Sequence, residues 1–132
     1  MTVTFVPYFA YEDADAAIDY LVRCFGFEIS ARYDAEDGSV MHAELIFGEG
    51  TIMLGSAKGG PGDPKPGHGT YVVVDDVDAH HARAVEGGAR VVYPPEDTEF
   101  GTRRWRAKDS VGYEWSFGSY VPRTGGTSIE TG

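Results

Sequence analysis

Three short stretches of this chain carry paired chemistry. In the run Val40–Phe47, a histidine and a carboxylate, His42 and Glu44, stand two residues apart among apolar neighbours. Further on, Arg104 and Arg106 flank Trp105, and Glu114 and Ser116 flank Trp115. A spacing of two places such residues on one face of a strand and their apolar neighbours on the other. A carboxylate in that position can hold a cation or, in an apolar pocket, take a proton from a substrate. Paired guanidinium forks suit a carboxylate or another planar anion. The lone cysteine, Cys24, offers neither a disulfide nor a thiolate zinc cluster, and beside Phe25 it reads as a small buried hydrophobe.

Alternation then assigns faces. Met41, Ala43, Leu45 and Phe47 form an apolar set that should meet a helix, so His42, Glu44 and Ile46 should look the other way. Trp105 and Ala107 oppose Arg104 and Arg106, and Trp115 and Phe117 oppose Glu114 and Ser116. Val6 shares a face with Tyr8 in the first extended run, and Gly69 shares one with Tyr71 and Val73 in a later one. These residues are the expected walls of a ligand cavity, with Tyr8 and Tyr71 as its apolar sides. His80 and His81 are adjacent on a predicted helix, point in different directions, and are expected to face solvent.

The elements that must position these side chains are written twice. Tyr11-Glu12-Asp13-Ala14-Asp15-Ala16 returns as Val74-Asp75-Asp76-Val77-Asp78-Ala79, sixty-three residues on. Each phrase follows an extended apolar run, and each opens a helical stretch that ends in glycine, at Gly26 and at Gly87-Gly88. Asp13 and Asp76 are in N-cap position. The first helix should run to about Arg23 and bury Ala16, Ala17, Tyr20, Leu21 and Cys24. Strands are predicted over 3–10, 27–33, 40–47, 51–54, 69–74, 90–93, 103–108 and 113–119, with 94–101 as a loop. The fold class is therefore α+β: two βαβββ modules related by a pseudo-twofold, with mixed sheets covered by helix on one face and forming a cavity on the other. One domain is expected over 1–122, with module one at about 1–56, a Gly- and Pro-rich linker at 57–67, module two at about 68–120, and a loose tail at 123–132.

Bulk composition narrows the function classes. A net charge of −10 disfavours nucleic acid, whose phosphates would be repelled. No apolar run approaches the roughly 20 residues of a membrane span, and Met1-Thr2-Val3-Thr4 has no signal-peptide core, so a cytoplasmic location is expected. Open sheet edges and exposed sheet faces favour a homodimer.

Four segments, in order and spacing, resemble the vicinal oxygen chelate superfamily of glyoxalases, bleomycin-resistance proteins and extradiol dioxygenases. They are Tyr11 to Tyr20 with Phe25-Gly26-Phe27, Val40 to Leu45, Val74 to Ala79, and Asp109-Ser110-Val111-Gly112-Tyr113-Glu114-Trp115. The last resembles the family's Asp-Pro-x-Gly-x-x-Trp signature, with Ser110 in place of proline. The resemblance implies paired βαβββ modules and a cavity between modules. In metal-using members four strand positions each supply a ligand, and carried over by position these hold Val6, Glu44, Gly69 and Ser116. Only Glu44 is a good donor there, and His68 lies one residue out of register with Gly69. The resemblance thus implies the metal-free, bleomycin-resistance-like branch: a protein that sequesters a drug or metabolite, with no cofactor and no metal. The alternative it implies is a glyoxalase-like isomerase or lyase, metal-assisted or using Glu44 as general base.

Overall fold

A computed structural model describes residues 5–58 and 67–122. The chain runs β1 (Tyr8–Tyr11), α1 (Ala14–Tyr20), a π-helical turn (Leu21–Phe25), β2 (Glu28–Asp34), β3 (Val40–Phe47) and β4 (Gly50–Ser56). It continues as β5 (Gly69–Val73), α2 (Val77–Glu86), β6 (Arg90–Asp97), β7 (Arg103–Lys108) and β8 (Glu114–Gly118). The strands make two four-stranded mixed sheets, ordered β1-β4-β3-β2 and β5-β8-β7-β6, each with one parallel pair. This is the expected α+β arrangement of two βαβββ modules. Most of the predicted linker and all of the predicted tail lie outside the described residues, as does the start of the predicted first strand.

The repeated phrase does the same work in both modules. The Asp13 carboxylate accepts from the Ala16 amide at 3.0 Å, and the Asp76 carboxylate accepts from the Ala79 amide at 3.0 Å. Each satisfies one of the amides that a helix start leaves unpaired. The first helix then departs from expectation. Its buried stripe is phased on Ala14, Ala17, Ile18 and Leu21, which leaves Ala16 exposed, and after Tyr20 it widens into the π turn. Gly26 ends the turn at φ +86°, a left-handed conformation that favours glycine.

That turn projects Phe25 out of its own module. Its ring centre lies 4.8 Å from Phe117 and 5.7 Å from Trp115, both on the helix-packed face of the second sheet. From β1, Phe9 stacks on Trp115 at 5.1 Å. The Tyr20 hydroxyl donates to the Lys108 carbonyl and accepts from the Arg90 amide. The two modules therefore share one core, built from the apolar faces of both sheets.

A buried carboxylate locks this junction. Asp109 is 1% exposed. It accepts from Tyr11 Oη at 2.6 Å, from Trp115 Nε1 at 3.2 Å, and from the amides of Val111 and Tyr113 at 3.2 and 3.1 Å. Burial, followed by the Asp109 charge, pushes the Tyr11 phenol far above its ordinary pKa, so it remains a donor.

Three strand expectations are corrected. Met41 is 64% exposed and does not join the helix-packed face; Val40 is buried there instead. A register shift between Tyr33 and Asp34 pairs them with His42 and Val40, leaving Met41 bulged out. The region expected to be a loop from Pro94 is strand as far as Asp97. β6 is a sheet edge, where proline is tolerated, and its register shifts between Tyr93 and Glu96. The first strand is shorter than predicted, beginning at Tyr8.

Replacing Tyr11 with phenylalanine keeps the ring and removes one donor from a buried carboxylate. The expected cost is about 2 kcal/mol, read from urea denaturation. An unchanged midpoint would show that the Tyr11–Asp109 bond does not join the modules.

Candidate functional site

Strand register relates the two open faces residue by residue. In the first sheet one row crosses Ala31, Glu44, Met53 and Tyr8. In the second the matching row crosses Tyr93, Arg106, Ser116 and Tyr71. Tyr8 thus matches Tyr71, Met53 matches Ser116, and Glu44 matches Arg106. The match extends to Gly55 and Gly118. A Cβ at Gly55 would meet the Tyr8 hydroxyl at 3.0 Å, and one at Gly118 would meet the Tyr71 hydroxyl at 2.7 Å. In both sheets a tyrosine lies across a gap that glycine leaves open.

On the first face His42 Nε2 and Glu44 Oε2 are 2.9 Å apart, and both side chains are part-exposed. The Tyr33 ring stacks on His42 at 6.2 Å. Ile46 is half-buried nearby on β3, Val6 is half-buried ahead of β1, and Tyr8 is exposed.

On the second face Arg106 donates from Nε to Ser116 Oγ at 2.9 Å and from Nη1 to Glu114 Oε2 at 3.4 Å. Arg104 donates to Glu96 Oε1 at 3.1 Å. The two guanidinium groups lie 5.6 and 5.7 Å from the centre of the Tyr93 ring, within cation–π range. Tyr71 donates its hydroxyl to the Tyr120 carbonyl at 2.7 Å, and burial raises its pKa. A cleft of about 290 Å³ brings together Gly69, Tyr71, Arg106, Glu114 and Ser116, with His68 at its rim. A second cleft of about 300 Å³ adjoins Tyr71 and Arg104.

The sequence-chosen residues therefore form two groups. Val6, Tyr8, His42, Glu44 and Ile46 belong to module one; Gly69, Tyr71, Arg104, Arg106, Glu114 and Ser116 belong to module two. Among the described residues no hydrogen bond or ion pair joins the groups: Glu44 pairs with His42, and Arg106 with Ser116 and Glu114. Because both apolar faces turn into the shared core, the two open faces look away from it.

Two residues were missed. Met53 is the register counterpart of Ser116, so the internal symmetry puts Met53, not Glu44, with Val6, Gly69 and Ser116. The signal was present in the sequence: counting back from Ser116 by the length of the repeat lands on Met53. Tyr93 is the second; it lies within the predicted strand, and a register shift between Val91 and Tyr93 sets it opposite Arg106. A larger groove of about 620 Å³ is lined by Phe5, Phe27, Phe47, Val72 and Trp115 and shares Tyr71 with the Arg106 cleft.

The donor set suits a metal poorly. Among the described residues no three His, Cys, Asp or Glu side chains are grouped to hold an ion. Valine and glycine offer no side-chain donor, and a thioether and a neutral hydroxyl are weak ones for zinc or a hard cation.

The histidines of α2 are corrected as well. His80 is not solvent-facing. Its Nε2 lies 2.9 Å from the Phe25 carbonyl, and its Nδ1 accepts from Trp105 Nε1 at 3.1 Å. These partners require a neutral ring protonated on Nε2. Burial is the main cause of its lowered pKa, with the Arg83 and His81 charges adding to it.

The chain belongs to the Glyoxalase/Bleomycin resistance protein/Dioxygenase superfamily, whose family model matches residues 5–117. An uncharacterized protein of Mycobacterium bovis is 34% identical, over 87% of this chain and 82% of its own length. The crystal structure of TioX from Micromonospora sp. ML1 superposes with a TM-score of 0.73 at 35% identity, covering 92% of this chain and 100% of TioX. Glyoxalase I from Zea mays gives a TM-score of 0.72 at 23% identity, over 87% of this chain and 43% of the maize chain, a likeness of fold alone. No helix among the described residues is long and apolar enough to cross a membrane.

Protonating His80 would set an N–H against the Trp105 N–H. Its folded pKa is lowered, so the unfolded chain binds the proton more readily. The stability contribution is complete above the unfolded value of about 6.5 and declines as pH falls from there toward the folded pKa. Urea midpoints should therefore fall between about pH 7.5 and 5.5, and His80→Gln should flatten that fall. Equal slopes in the two proteins would remove His80 as the cause.

Proposed function

We propose that this chain is a metal-independent small-molecule-binding protein that sequesters a drug or metabolite against the open sheet faces. The observation that carries the reading is the Arg106 cluster. A guanidinium oriented by Ser116 and Glu114 stands at a cleft of about 290 Å³, beside Tyr71 and above Tyr93. Such a site suits a planar aromatic molecule with a carboxylate or similar acceptor: the fork takes the anion and the tyrosine faces take the ring. The weak donors at Val6, Met53, Gly69 and Ser116 support binding without a metal. Family membership and the likeness to TioX are compatible with it.

A second reading rests on the His42–Glu44 contact. A carboxylate 2.9 Å from Nε2 orients the imidazole and leaves Nδ1 for a substrate, the geometry of a general base held by an acid. In this reading the protein is a lyase or isomerase, and His42 or Glu44 moves the proton.

A thermal-shift screen of aromatic carboxylates and amphipathic antibiotics separates the two. The binding reading predicts stabilisation that survives chelator, recovery of the compound unchanged, and a loss of affinity of roughly tenfold or more in Arg106→Gln. Conversion of the compound that disappears in His42→Ala while binding persists would replace it with the enzyme. Stabilisation lost with chelator would contradict metal independence.

A further inference from the structure

We infer that Tyr71 sets the length of ligand that the Arg106 cleft admits. Its ring walls that cleft off from a second one at Arg104, so that the site takes a compact aromatic molecule with one acidic group. The inference deepens the sequestration reading and rests on it.

Two clefts adjoin at Tyr71. One, of about 290 Å³, holds Arg106; the other, of about 300 Å³, holds Arg104. Among the described residues Tyr71 alone lines both. Each volume lies at the bottom of the roughly 300–1,000 Å³ range of ligand pockets, so neither alone suits an extended molecule. Strand register explains the partition. On β8, Ser116 is the partner of both Tyr71 and Arg106, and Gly118 is the partner of Arg104. The Tyr71 ring leans from its own row to the Arg104 row, where Gly118 has no side chain to stop it: a Cβ there would lie 2.7 Å from the hydroxyl and 3.1 Å from the ring.

The wall is held in place. The Tyr71 hydroxyl donates to the Tyr120 carbonyl at 2.7 Å. The segment bearing that carbonyl is itself anchored to β7. The Ser119 amide donates to the Arg103 carbonyl at 3.0 Å, and Ser119 Oγ accepts from the Arg103 amide at 3.0 Å. Tyr8 covers Gly55 in the same manner, but among the described residues its hydroxyl makes no hydrogen bond, and it is 57% exposed against 39% for Tyr71. The latch is therefore particular to module two and does not follow from the internal repeat.

The wall parts two anion positions. Arg104 is oriented by Glu96 and Arg106 by Ser116 and Glu114, and both guanidinium groups lie within cation–π range of the one Tyr93 ring. With the Tyr71 ring in place, a ligand carboxylate at Arg106 has no path along the face to Arg104. With the ring removed, the clefts join, and an elongated molecule with an acidic group at each end reaches both forks.

Calorimetry on the full chain with two probes, benzoate and a para-substituted biphenyl dicarboxylate, tests this. Tyr71→Val removes the ring and keeps a residue suited to a strand, with circular dichroism confirming the fold. The ratio of affinities should move toward the biphenyl probe by about tenfold or more in Tyr71→Val, and adding Arg104→Gln should cancel that gain. An unchanged ratio, or a gain that survives Arg104→Gln, would overturn the inference and leave the sequestration reading standing if benzoate binds. If neither probe binds the wild type, the inference fails because it names this ligand class, and the thermal-shift screen decides the sequestration reading separately.

Discussion

The arrangement of this molecule depends on one buried carboxylate. Asp109 is enclosed, and an enclosed carboxylate is tolerable only when its oxygens are saturated with donors. The turn after β7 supplies two amides and β8 supplies the Trp115 indole, all within module two. The fourth donor, the Tyr11 hydroxyl, comes from β1 of module one. The turn cannot satisfy its aspartate fully unless the two modules are docked. Ser110, where the family signature has proline, is exposed and makes none of these bonds.

Docking at Asp109 decides where the chemistry lies. It brings Phe9, Phe25 and Phe27 against Trp115 and turns the apolar face of each sheet inward. What remains outside is the complementary alternation of the same strands: His42 and Glu44 on one side, Arg104 and Arg106 on the other. A small ion-pair network and two tyrosines spanning glycine gaps organise these faces. Exposed pairs of this kind add little stability, and their value is positional: they hold Arg106 and His42 in defined directions.

Much of this was legible in the sequence because it is local. The helix caps follow from a repeated phrase. β3 and β7 have the predicted bounds, and the alternation around Trp105 and Trp115 sorts Arg104, Arg106, Glu114 and Ser116 correctly onto the open face. What was not legible depends on the other module or on backbone irregularity. His80 faces Phe25 and Trp105 only once the modules meet, and nothing adjacent in the helix announces it. The bulge at Met41 shifts a side-chain pattern by a residue, which a strict period of two does not anticipate. The division of the candidate site between outward faces is likewise a property of docking, since each strand taken alone gives only a face and not its direction.

The central claim is that the Tyr11–Asp109 bond docks the two modules and so gives the open faces their directions. A double-mutant cycle of Tyr11→Phe and Asp109→Asn, read by urea denaturation, tests it directly. The account predicts that the two effects couple by roughly 1 kcal/mol or more. Strictly additive effects would contradict it.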